Sequence, residues 1–166
     1  MLRIEVLEHV ADIGLLLPAR RGPRPRTPFA LPYIQLDQWP PEDVSGDLIE
    51  RSLRMADVRS KQSRMASPKS RALCLPDRCA SGPQEAFIDD HEFCHLHPLP
   101  EGSIHLTLPN PLRDQAVDLG WAEPHPVARV GVMPKTLVLV YAPRDPMELE
   151  IAFHLVWSSC QFARGV

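Results

Sequence analysis

Nineteen prolines in 166 residues, about twice ordinary usage, constrain this chain more than any other feature. Proline has no backbone N–H and clashes with the preceding helical turn, so neither a long helical bundle nor a coiled coil is open to it. Helices must lie in the proline-free gaps. The first gap, residues 1–17, carries Leu2, Val6 and Val10 at helical spacing. In the longest, residues 42–67, Val44, Leu48, Ile49, Leu53 and Ala56 form a stripe. A short helix is expected over 112–123, with Asn110 as N-cap, Pro111 in its first turn and Gly120 closing it. Asp145 and Glu148 have capping-box spacing around Pro146, and Ile151, Ala152, Leu155, Ser159 and Phe162 give the C-terminal helix its buried stripe.

The stretches between these helices have the length of strands: Ser70–Leu75, Glu85–Ile88, His91–His97, Ser103–Leu108 and Thr136–Tyr141. Asp89-Asp90 reads as a tight turn and Pro98–Gly102 as a hairpin loop. The expectation is an α+β domain, an antiparallel sheet of about five strands with flanking helices. Leu17–Leu31 alternates four arginines with four prolines, which favours an extended arm packed across the domain. Residues 1–32 thus read as an N-terminal helix and arm, and 33–166 as the domain proper.

A hydrophobic fraction of 44% with only 8 glycines argues for a packed core rather than proline-rich disorder. A net charge of -3 gives no electrostatic basis for nucleic-acid or membrane-surface binding. There is no apolar run of about 18 residues to span a bilayer. The four cysteines form no C-x-x-C pair, so a reduced, cytoplasmic protein is expected.

Four of the seven histidines, His95, His97, His105 and His125, fall within a short stretch. Side chains alternate across a strand, so His95 and His97 share a face, with Phe93 expected beside them and Cys94 pointing away. If Pro98–Gly102 is the loop, His97 pairs with Ser103 and His95 lies opposite His105. That places three imidazoles together, and a slip of one residue would separate them. Three readings follow. Imidazoles on adjacent strands suit a divalent metal, with His95, His97 and His105 as ligands. Without a metal or other cofactor, they suit acid–base work near neutral pH. Buried histidines also serve structure alone. No glycine-rich nucleotide loop or serine-hydrolase elbow is present.

The block HEFCHLHPLPEGSIHLTLP, followed by GWAEPHPVA over 120–128 and YAPRD over 141–145, resembles the fungal luciferase family and its bacterial luciferase-domain relatives. The upstream segments GPRP at 22–25, QLDQ at 35–38 and RALCLP at 71–76 look like that family's arm and first strand. The chain departs from the pattern at Cys94, where alanine is usual, and at His91, where arginine is common. The resemblance implies an oxygenase. The fungal members oxidise a hydroxylated pyrone, 3-hydroxyhispidin, with molecular oxygen and without a flavin. Carried to this chain, it implies a monooxygenase- or dioxygenase-like oxidoreductase acting on a small enolisable aromatic or pyrone. One of His95, His97, His105 and His125 would take the substrate's proton. Trp121 and Arg144 would be a pocket wall and an anion stabiliser, although each also suits a structural role, Trp121 in the core and Arg144 in an ion pair with Asp145. A binding module that kept the fold and lost the chemistry is the rival from another class.

Overall fold

The computed structural model describes residues 16–166; the expected N-terminal helix lies almost wholly outside them. Six antiparallel strands form one open sheet in the order β1-β2-β3-β4-β6-β5. The strands are β1 (Arg59–Gln62), β2 (Arg71–Cys74), β3 (Glu92–Leu96), β4 (Ile104–Thr107), β5 (Ala122–Pro124) and β6 (Leu137–Val140). Four α-helices accompany them among the described residues: α1 (Glu42–Leu53), α2 (Leu112–Asp118), α3 (Pro126–Arg129) and α4 (Pro146–Arg164). The α+β class holds, with one strand more than expected.

The differences from the sequence pattern have local causes. The proline-free gap 42–67 holds a helix and a strand, because α1 stops at Leu53 and the chain turns through Asp57 at φ 58. Two strands are new, β5 and β1, and β1 is exposed along its whole length. Its Arg-Ser-Lys-Gln sequence has no apolar alternation to announce it, and its lysine and arginine suit an open edge. Glu85–Ile88 is not a strand. Gln84–Ala86 is one 3-10 turn after Pro83, and only Ile88 and Asp89 bond back to Glu92. At α2, Pro111 rather than Asn110 occupies the capping position, and the helix ends early at Asp118. Gly120, at φ 84, closes it as expected.

The α4 N-terminus follows its motif in half. Asp145 Oδ1 accepts from the Glu148 N–H at 2.9 Å, but the Glu148 carboxylate turns to the Arg144 N–H and guanidinium instead of completing the box. The helix then lays Leu149, Ala152, Leu155, Val156 and Ala163 against the sheet. With Val44 and Leu48 of α1, and Leu73, Leu96, Ile104, Leu106, Val138 and Val140 of the strands, they form one apolar core. Full burial of such a side chain contributes about 1.5–3 kcal/mol.

One irregularity decides what the other face of the sheet displays. Leu73 pairs with Cys94 but Cys74 with Glu92, so Phe93 is an extra residue bulged out of β3. Phe93 therefore lies in the apolar core and not beside His95. Its carbonyl, outside the ladder register, accepts from Ser159 Oγ of α4 at 3.1 Å. The bulge also brings Glu92, three residues before His95, onto the histidine face.

The arm crosses that face. Trp121 Nε1 donates to the Pro18 carbonyl at 2.6 Å, the Arg20 N–H to Leu119 O at 2.8 Å, and Arg24 to Ala122 O at 2.8 Å. Farther along, Gln35 Oε1 accepts from the Ala142 N–H at 2.9 Å, and the Gln35 N–H donates to Glu101 at 2.9 Å. The arm arginines thus terminate backbone and side-chain groups of this same domain. Pro25 of the arm is buried.

Candidate functional site

The five-residue loop sets the expected register. His97 N–H donates to Ser103 O at 3.0 Å, and His95 stands opposite His105 across β3 and β4. Gly102 closes the loop at φ 66, a left-handed conformation that glycine adopts without the penalty a Cβ would bring. Ring centroids lie 4.8 Å apart for His95 and His105, 4.5 Å for His97 and His105, and 5.3 Å for His95 and His97. His125 joins from the turn between β5 and α3, its ring 4.6 Å from that of His105. All four are buried. An electron-rich face meeting a ring edge is a favourable pairing, and each of the three contacts with His105 is edge-on.

Each ring is held from behind. His95 Nδ1 lies 2.7 Å from Glu92 Oε1, which also accepts from Ser63 Oγ at 2.9 Å. His97 Nδ1 lies 2.9 Å from Glu101 Oε2 and 3.1 Å from Ser103 Oγ. His95 Nε2 and His105 Nδ1 meet at 3.0 Å. His125 caps α3, its Nδ1 accepting from the Val127 N–H at 3.3 Å. That bond leaves the neutral ring's proton on Nε2. Pro124 ends β5 and Pro126 opens α3, which fixes the backbone on either side of the ring.

Burial is the leading electrostatic influence. It lowers His95, lowers His105 well below the ordinary histidine range, and brings His125 down to about 4. At His105 the neighbouring imidazoles add to this, while the Tyr33 carbonyl opposes it. Desolvation penalises the charged form, so these rings are neutral near pH 7. Tyr33 and Tyr141 both donate to Glu123, at 2.5 and 2.9 Å. Burial pushes Tyr33 up to about 12, which keeps it a donor.

His97, His105 and His125 line one side of a cavity of about 450 Å³. The arm supplies a wall through Leu31, Pro32, Tyr33 and Ile34, the loop after β1 a second through Met65, and the segment after α3 a third through Val132 and Met133. A cavity of that size fits a small organic molecule. His95 sits behind His105 and touches the cavity only through it.

Trp121 and Arg144 do not line this cavity. Trp121 is packed in the apolar core. Arg144 pairs with Glu148, not with Asp145, and donates to Arg21 O at 2.7 Å, tying the arm to α4. Asp145 instead pairs with Arg21. Sequence reasoning missed Glu92 because strict alternation over three residues sends it to the opposite face from His95. It missed Glu123, Tyr33 and Tyr141 because their association joins the arm to β5 and the end of β6.

His95, His97 and His105 each offer a ligand atom within 4.8 Å of the others. Carboxylates behind His95 and His97 are the usual support of metal-bound imidazoles. Against this, the His95–His105 hydrogen bond already occupies one lone pair, so ligation by all three would require that proton to leave. No helix among the described residues is long and apolar enough to cross a membrane.

No curated protein and no solved structure gives a significant match. Residues 90–159 match the family model of the luciferase domain. That segment runs from the turn before β3 through β6 and into α4, and it carries Glu92 and all four clustered histidines. By this match, the segment that carries the four histidines is similar to the luciferase domain.

Proposed function

We propose that this protein is a luciferase-like oxygenase that acts on a small, enolisable aromatic or pyrone. The observation that carries this reading is a small cavity with three imidazoles facing into it, of which His105 and His125 are kept neutral by burial, and with mostly apolar side chains beside Arg64 on its other walls. An imidazole takes the substrate's acidic proton, and the C–O–H or C–H bond breaks to leave an electron-rich anion. The anion forms a carbon–oxygen bond with molecular oxygen, giving up two electrons. The proton returns to the reduced oxygen, and the product is a hydroperoxide. Atoms and electrons balance with substrate and oxygen alone. A buried imidazole accepts a proton only from an acidic donor, or where the anion stays beside it, so an enol or phenol suits this site better than an alcohol.

Oxygen consumption with 3-hydroxy-4-pyrone and with catechol tests the reading. The wild-type chain is expected to consume oxygen, and a His97→Gln/His105→Gln double variant to lose about 10²–10⁴ in rate. Equal uptake by both would overturn it. No uptake by either favours the binding module that kept the fold.

The three converging imidazoles backed by carboxylates favour a second reading, a histidine-ligated divalent metal. Elemental analysis separates the two. Stoichiometric zinc, iron or copper that is lost in His97→Ala would replace the cofactor-free route.

A further inference from the structure

Resting on the oxygenase reading, we infer that Glu92 is a positioning residue, acting through His95 to leave His105 Nε2 as the base that meets the substrate. The sequence Glu92, His95, His105 forms one hydrogen-bonded line. Glu92 is fully buried and its Oε1 accepts from Ser63 Oγ at 2.9 Å. A carboxylate so placed is an acceptor only, so His95 Nδ1, 2.7 Å away, supplies the proton of their bond. His95 is buried, an environment that favours the neutral ring, and so its Nε2 carries a lone pair. His105 Nδ1, 3.0 Å from that lone pair, must then hold the proton between them. One nitrogen of the line is left without a partner. His105 Nε2 is buried, has no hydrogen-bond partner among the described residues, and belongs to a ring that lines the cavity.

The same bookkeeping separates the roles of the other rings. His125 spends its Nδ1 lone pair on the α3 N-terminus and presents a proton donor. It faces His105 edge-on, so donor and acceptor stand side by side at the cavity. Ser63 opens the loop whose Arg64–Ser67 segment lines the cavity. Its Oγ also accepts from the Met65 N–H at 3.2 Å, so the loop and the buried carboxylate are held by one hydroxyl. The β3 bulge makes the line possible, since without it Glu92 would face α4.

The whole chain labelled with ¹⁵N-histidine, in metal-free buffer near neutral pH, reads this directly. Long-range proton–nitrogen spectra report which ring nitrogen carries the hydrogen, and no substrate is needed. The expected result is protonation at Nδ1 and a bare Nε2 for both His95 and His105, with the opposite tautomer at His125. Glu92→Gln should mix the tautomers of His95 and His105, and Ser63→Ala should leave them in place. Oxygen uptake by Glu92→Gln should fall about 10–100-fold, the usual loss for a residue supporting a functional ring. If Glu92→Gln fails to fold, the wild-type tautomers decide alone. His105 protonated at Nε2, or unmixed tautomers in a folded Glu92→Gln chain, would overturn the assignment. Correct tautomers in a chain that consumes no oxygen would overturn the oxygenase reading and leave the hydrogen-bonded line standing.

Discussion

The two faces of the sheet are built by opposite rules. On the α1/α4 face, apolar side chains meet in a continuous core. On the other face, Glu92, Glu101, Glu123 and four histidines lie beneath an arm and are hydrogen-bonded in pairs, with Glu92 Oε2 and His105 Nε2 left without a partner. Dispersion and area burial tolerate small errors. A buried polar line does not, since an unpaired buried group costs about 1–3 kcal/mol. The difference teaches that the helical face supplies stability, and that the histidine face spends some of it to hold neutral lone pairs at a cavity.

The largest expected effect is on the helical face. Leu155→Ala removes a fully buried side chain and should cost about 2–5 kcal/mol in urea unfolding, with the histidine tautomers of the folded fraction unchanged. A loss of both together would merge the two faces into one unit.

Acid should act on the histidine face first. His125, at about 4 when folded, binds fewer protons than the unfolded chain between that value and its ordinary 6.5, and His95 and His105 shift in the same direction. Their contribution to stability is therefore complete above about pH 6.5 and is lost as pH falls toward 4. Thermal unfolding followed across that window should show falling stability, and a His125→Gln chain a shallower fall. A flat profile would mean the rings are already charged.

A smaller effect is expected where the arm is fastened. Arg144→Met leaves the buried Glu148 without its guanidinium and should cost roughly 1.5–3 kcal/mol. Limited proteolysis within residues 17–38 should quicken in the same variant. At the bottom of the scale, Arg54→Ala removes only an exposed pair with Glu50 and should change stability by about 0.5 kcal/mol or less.

The helical face was legible because its information is periodic. The stripe of α4, opened by its capping residue Asp145, and the apolar run of β6 each repeat one message over many residues. Of the histidine face, the part set by local geometry was legible as well. A five-residue loop fixes the register that puts His95 opposite His105. The remainder depends on events that alternation does not encode. The Phe93 bulge reverses the expected sides of Phe93 and Glu92, and β1 carries no apolar pattern. The arm meets Glu123 and Glu101 through contacts that join residues distant in sequence. Trp121 and Arg144 belong to the luciferase-like pattern, and their contacts here fasten the arm rather than line the cavity.

The central claim, that the cavity beside the four histidines receives a small enolisable molecule, is tested most directly by following every imidazole during titration with 3-hydroxy-4-pyrone under anaerobic conditions. The account predicts that the His97, His105 and His125 resonances move together and saturate, while those of His91 and His154, away from the cavity, stay in place. Movement confined to His91 or His154, or no movement at any histidine, would contradict it.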